Sequence, residues 1–484
     1  MITKELANFI VSLKYEDIPK SAIEKAKSCF LDFLGVSIRG SQEKSSLIAF
    51  KVFNPNYNDN FEFKSTIIGQ GLGSAMSAGF LNGISGHCLD LDDGHRLAQL
   101  HPGCAVIPAA LALAEEKDKT GKEFFESIVA GYEVAIVLGK AINPSHRNSG
   151  FHSTGTIGTF AAAAASSKIL NLDVKETINA LGLAGTQAAG LLESDHAGTM
   201  AKHLHVGKAV QSGMISTLLS QKGFTGAESI VEGKEGFFKA LGGEEVFENS
   251  TEIANQINFE LGQFHIQNVY LKKYPVCRHL HSTIDSAVDI LNEINISAIE
   301  NQKIKKITVQ TYKTAAEHDN YCPMTVESVR QSLPICLAIV LNRGELTLEN
   351  IEDFETKPEF KEEILKIADK VEIQINTELN NFQPQKRPSR VIIELEKGLK
   401  MVNGFNNYTP NNNSNNINGE NNLVLEKTTF LPKGEPENPF TKQEIFEKFY
   451  SLNPDFKSFN LNLIDEISLL KIRDFMIDFK NNIF

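Results

Sequence analysis

A run of small side chains sets the strongest limit on what this chain can fold into. Thr159-Phe160-Ala161-Ala162-Ala163-Ala164-Ala165-Ser166-Ser167 lies within an Ala-rich helical segment, residues 154–170. Residues 72–89 are likewise rich in Gly, Ala and Ser. Small side chains let helix axes approach closely, so both segments belong in tight helix–helix contacts. Around them the apolar residues recur at helical spacing: Leu6, Phe9, Ile10 and Leu13, then Ile23, Ala26, Phe30, Leu31 and Leu34. Residues 104–117, 121–142, 173–193 and 206–222 continue the pattern, while 41–70 are polar and irregular. No convincing strand precedes about residue 265, which predicts an all-α domain over 1–265.

The pattern changes after Gln263. Ile304–Tyr312, Val371–Ile375 and Arg390–Glu396 alternate as strands, with helices expected at 325–341, opened by Thr325, and at 358–368. Helix alternating with short strand describes a smaller α+β domain over 266–402. Residues 403–422 hold eleven Asn among twenty and read as a disordered loop. Residues 423–484 are expected to return to the helical domain. Within them Thr441 and Glu444 form a capping-box signature, and Ile464–Phe479 reads as a helical tail packing back.

Charge and cysteine use narrow the function. A net charge of -12 with no long basic run argues against nucleic acid as a partner. No run of 18 apolar residues offers a membrane span. The first residues lack a signal-peptide core, and the six Cys contain no CxxC pair, so a reducing, cytoplasmic setting is expected.

All twelve His fall between residues 87 and 318. Histidine titrates near neutral pH, so this confinement points to chemistry in the middle of the chain. Four strings carry it. His87-Cys-Leu-Asp90-Leu-Asp92-Asp93-Gly94-His95-Arg96 is followed by His101-Pro-Gly103. Asp90, Asp92, Asp93, His95 and His101 suit either a cation or general acid–base work, in which a carboxylate fixes an imidazole tautomer. Asp92 or Asp93 equally suits a cap on the next turn. Ser145–Gly155, with His152, precedes the Ala-rich helix and suits an anion at a helix start, or merely holds an N-cap at Ser153 or Thr154. Lys202-His203-Leu-His205-Val-Gly-Lys208 reads as a carboxylate-binding edge or a solvated basic turn. Leu271-Lys272-Lys273-Tyr274-Pro275-Val276-Cys277-Arg278-His279-Leu280-His281 sits at the domain junction, where Arg278 would clamp a carboxylate. Cys277 invites a nucleophile reading, but no Cys/His spacing specifies one.

Taken in order, His87–Asp93 with His101–Gly103, Phe151–Gly155, Lys202–Gly207 and Lys272–Pro275 resemble the MmgE/PrpD family. The resemblance implies a mostly α fold: a large helical domain from both chain ends with a smaller α+β lid domain inserted. It implies a homodimer with no metal and no organic cofactor. Known members include 2-methylcitrate dehydratase, cis-aconitate decarboxylase and iminodisuccinate epimerase, which act beside a carboxylate of a small polycarboxylate. Asp90 and His101 match the pair near the reacting carbon in the decarboxylase branch, and His152, Lys202 and Lys272 match other pocket residues there. Gly94 stands where that branch has Thr, and Cys277 where it has His. Asp93–Arg96 is similar to the epimerase-like branches. The expected catalytic residues are thus Asp90, His101 (held by Asp90), His152 and Lys202, with Lys272, Arg278 and His203 binding substrate and no metal ligand. The first expectation for the reaction is a 2-methylcitrate-dehydratase-like hydro-lyase. Epimerisation and then decarboxylation follow as alternatives, with a metal-dependent hydrolase or a non-catalytic carboxylate binder behind them.

Overall fold

The computed structural model describes residues 1–53, 65–294, 299, 303–396, 423–456 and 460–481. The Asn-rich stretch 403–422 lies outside them. The chain forms two compact units. One comprises Met1–Ser194, Met200–Leu271 and Pro439–Phe484; the other comprises Lys272–Asn438 with Asp195–Thr199. The mostly α class holds. Among the described residues no helix is long and apolar enough to cross a membrane.

The first unit is built on helices Lys20–Gly40, Ala75–His87, Gly103–Glu116, Gly121–Ile142, Ser153–Ile169 and Ala201–Ser220. The Ala-rich helix Ser153–Ile169 is buried along its whole length. It packs on Ala201–Ser220, Gly121–Ile142 and Gly103–Glu116. Small residues make these approaches possible: a Cβ on Gly213 would sit 2.6 Å from the Ala163 backbone nitrogen. The helix Lys442–Leu452 carries the expected capping box, with Glu444 N 3.2 Å from Thr441 Oγ1 and Thr441 N 2.7 Å from Glu444 Oε2. It packs on Lys20–Gly40, where Asn453 Nδ2 donates to the Gly35 carbonyl at 3.0 Å.

This unit is not wholly helical. Ser65–Ile67 pairs with Gly71–Gly73, and Gly94–His95 pairs with Val269–Tyr270, both antiparallel. Ladders of two or three residues are too short to leave an alternating pattern in sequence. The polar stretch 41–70 also contains the helix Lys44–Phe53.

The second unit holds a four-stranded sheet in the order Val371–Ile375, Ile304–Thr311, Ser389–Leu395, Leu423–Thr429. The first pair is parallel and the other two antiparallel. Alternate residues of Ser389–Leu395 are buried, which places one face on the core formed with helices His281–Glu293, Leu333–Arg343 and Pro358–Ala368. Residues 423–438 thus belong here, not to the return into the helical unit, which begins at Pro439. The strand Leu423–Thr429 is held by long-range pairing with Ser389–Leu395, which local pattern does not reveal. The helix expected over 325–341 is two, Val326–Val329 and Leu333–Arg343, because Ser332 starts a new N-cap ahead of Pro334.

Candidate active site

The segment between helices Ala75–His87 and Gly103–Glu116 concentrates polar groups in an apolar interior. His87, Asp90, Asp92, Asp93 and His95 are all buried. The chain leaves the first helix through Asp90 at φ 51°, a left-handed conformation that Asp tolerates better than most residues. It then forms the two-residue ladder at Gly94–His95, and His95 Nδ1 accepts a bond from Ala98 N at 3.1 Å.

The three carboxylates take three roles. Asp93 Oδ1 accepts from Gly103 N at 3.0 Å at the start of helix Gly103–Glu116, and Tyr132 Oη donates to Oδ2 at 2.5 Å. Burial pushes the Asp93 carboxyl up to about 7, although the Tyr132 bond pulls it down. Asp92 Oδ2 lies 2.8 Å from His87 Nδ1. Asp90 Oδ1 lies 3.4 Å from Lys202 Nζ.

His101, expected to be held by Asp90, has two oxygens near its Nδ1 that the sequence did not single out for it. His101 Nδ1 is 2.5 Å from the Asp93 carbonyl oxygen and 3.6 Å from Asp92 Oδ2. A carbonyl only accepts, so neutral His101 carries its proton on Nδ1, and Nε2 is the basic nitrogen. The His101 backbone nitrogen is tied to Thr154 Oγ1 at 3.1 Å. Thr154 therefore anchors the loop, and the N-cap of helix Ser153–Ile169 is His152.

Four imidazoles line up. The His87 ring lies 5.2 Å from that of His101 and 5.7 Å from that of His152, and His152 lies 5.3 Å from His205. His152 Nδ1 and His205 Nδ1 are 3.2 Å apart, so one donates and the other accepts. Burial, then the positive fields of His87, Lys202, His205 and His101, push His152 well below the usual histidine range. His152 is neutral at pH 7. Among the described residues, His87 Nε2 is buried without a hydrogen-bond partner.

Helix Ala201–Ser220 brings Lys202 and His205 to the same face by its three-residue spacing. His203 falls off that face. Its Nδ1 lies 3.0 Å from Ser45 Oγ.

In the second unit Lys272 is fully buried. Arg278, expected to clamp a carboxylate of the substrate, already holds one of its own. Its Nε and Nη2 lie 3.2 and 3.0 Å from Glu435 Oε1, and its Nη1 lies 3.1 Å from the Lys433 carbonyl and 2.9 Å from His281 Nδ1. A guanidinium at 3 % exposure with its donors committed in this way is a structural clamp.

Among the described residues, His87, Asp92 and Cys104 place one nitrogen, one oxygen and one sulfur atom within 4.8 Å of one another. Burial, then the nearby Asp92 and Asp93 charges, hold the Cys104 thiol well above its usual range. The sequence strings contain His87 and His205 without marking either as catalytic. The signal was their spacing, His87 five residues before Asp92 and His205 three after Lys202.

The chain is similar to known proteins along most of its length. Residues 4–250 match the MmgE/PrpD N-terminal domain and residues 274–421 match the MmgE/PrpD C-terminal domain. The chain is 26 % identical over 468 residues to the cis-aconitate decarboxylase-like protein oryM of Aspergillus oryzae, covering 93 % of this chain and 90 % of that one. It is 27 % identical over 429 residues to the cis-aconitate decarboxylase of Aspergillus terreus, covering 83 % and 84 %. It is 25 % identical over 414 residues to that of Homo sapiens, covering 83 % and 81 %.

Proposed function

Because the chain belongs to the MmgE/PrpD family, we propose that it is a lyase that removes CO2 from a small tricarboxylate of the cis-aconitate type. The observation that carries this reading is His101, whose Nδ1 is fixed on the Asp93 carbonyl, so that Nε2 is the nitrogen that moves a proton. Support for decarboxylation over the dehydration expected first comes from the relatives, which are named cis-aconitate decarboxylases.

In the proposed reaction a carbon–carbon bond to one carboxylate breaks and CO2 leaves. The electron pair stays on the substrate, conjugated with a remaining carboxylate. Preplaced positive charge is usually the largest catalytic contribution to such a step, and Lys202 supplies it, oriented by Asp90. His101, as imidazolium, then delivers a proton to carbon from Nε2 and recovers one from solvent; such a group typically contributes about 10²–10⁴-fold. Asp92 Oδ2 lies 3.6 Å from His101 Nδ1. Neutral His152 orients substrate without adding charge, and His87, held by Asp92, is a second proton carrier between them. Lys272 is proposed as a further cation for the substrate. The enzyme is proposed to work as a homodimer, without bound metal or organic cofactor. Sedimentation at twice the chain mass and turnover that survives dialysis against chelator check these two points.

Proton NMR in D2O with cis-aconitate, citrate, 2-methylcitrate and iminodisuccinate supplied separately tests the reading. The expected result is CO2 release from cis-aconitate alone, with one solvent deuteron on the product carbon. A new alkene from citrate or 2-methylcitrate, or exchange without bond cleavage, overturns decarboxylation in favour of dehydration or epimerisation. His101→Asn is expected to fold normally and lose turnover; normal activity removes His101 from the mechanism.

A further inference from the structure

The second unit pairs a thiol with a base that sequence spacing did not reveal. Cys277 Sγ lies 3.5 Å from His318 Nε2, across 41 residues of chain. His318 Nδ1 lies 3.0 Å from the Gln331 carbonyl oxygen. A carbonyl only accepts, so the neutral ring carries its proton on Nδ1 and presents the Nε2 lone pair to the thiol. Nucleophile, base and a third group orienting the base are the arrangement that activates a weak nucleophile.

The surroundings hold the pair in place. Cys277 N donates to the Arg330 carbonyl at 3.0 Å, and Leu333 N donates to the His318 carbonyl at 2.9 Å. The His279 ring stacks on His318 at 5.7 Å, and His279 Nδ1 lies 2.5 Å from Tyr312 Oη. Burial pushes the Tyr312 phenol up, so it stays neutral; Arg387, Cys277, Glu435 and Arg278 act on it. Arg278 and Glu435 compensate each other at 3.0 Å.

The other cysteines set the comparison. Cys29, Cys88, Cys104 and Cys336 are buried, Cys277 is half-buried, and Cys322 is exposed. Exposure alone therefore ranks Cys322 first for modification. We infer that Cys277 and His318 form a nucleophilic thiol site that takes small disulfides. In the step, Cys277 passes its proton to His318 Nε2 and the thiolate attacks one sulfur of the disulfide. A mixed disulfide forms, and the departing thiolate leaves with the proton from His318. The disulfide is the oxidant.

The full chain is incubated with hydroxyethyl disulfide at pH 6.5, and adducts are mapped by peptide mass spectrometry over time. Cys277 is expected to react about tenfold faster than Cys322, because an ordinary thiol at that pH is about one per cent thiolate. His318→Gln is expected to slow Cys277 about tenfold and leave Cys322 unchanged. In urea the two rates converge. If Cys322 outpaces Cys277 in the untouched protein, or if His318→Gln leaves the Cys277 rate unchanged, the inference is wrong.

Discussion

Gly94 is a steric requirement of the site loop. Gly94 is the direct cross-strand partner of Tyr270, which is 4 % exposed. A Cβ on residue 94 would sit 2.5 Å from Tyr270 Cζ and 2.8 Å from Cε2, with the phenol oxygen closer still. Carbon atoms prefer about 3.5–4.0 Å, so the overlap approaches 1 Å against a rigid ring with little room to retreat. Overpacking of that kind costs about 1–3 kcal/mol. Gly94→Ala should lower stability by that amount, and Gly94→Thr by more. In a Tyr270→Ala background the space is free, so Gly94→Ala should cost no more than about 0.5 kcal/mol, giving a coupling of about 1–3 kcal/mol. The chain has no Trp, so urea unfolding is best followed by circular dichroism at helical wavelengths. Turnover of cis-aconitate is measured on the same samples. Because Asp93 and His95 flank the position, Gly94→Thr alone should lower turnover even though it restores the residue of the decarboxylase branch. An equal Gly94→Ala penalty in both backgrounds, or none in either, refutes the steric argument.

Other outcomes follow from the same geometry. Burial pushes Glu115 from 4.5 up to about 7, against the bonds from Thr66. The folded state therefore holds a proton that the unfolded chain has released, and stability falls as pH rises from about 4.5 to about 7. The full effect is about 3 kcal/mol, and Glu115→Gln should remove that slope in denaturation measured across the window. Lys202→Met leaves the Asp90 carboxylate facing an apolar chain and should cost about 3 kcal/mol together with turnover. Adding Asp90→Asn should restore much of the stability and none of the activity, and recovered activity would make Lys202 merely structural. Arg278→Lys loses the fork to Glu435 and should destabilise the protein by about 2 kcal/mol while changing the KM for substrate less than twofold. A tenfold rise in KM at unchanged stability would return Arg278 to substrate binding.

The helical unit was legible because its signals are local. Thr159–Ser167 is a helix that only a close-packed interior accommodates, and Thr441 with Glu444 caps a helix within four residues. The strand Leu423–Thr429 was not legible, because its evidence is a partner strand far back in the chain. The site divides in the same way. Its strings named Asp90, His101, His152 and Lys202 by residue type. Which carboxylate serves which imidazole was invisible, since Asp90, Asp92 and Asp93 differ only in where a left-handed turn points them.

By itself the sequence determined the mostly α class, the smaller α+β unit and the strings that carry acid, base and positive charge. Periodicity, capping and residue chemistry act over a few residues, so one chain read in order reveals them. Tertiary structure alone decided the partners. It put Asp92 on His87 and the Asp93 carbonyl on His101, committed Arg278 to Glu435, turned His203 to Ser45 and brought His318 to Cys277. Each of these depends on the directions in which packed elements aim their side chains. A group's proton, charge and reach are set by what lies within about 4 Å of it, which chain order does not fix.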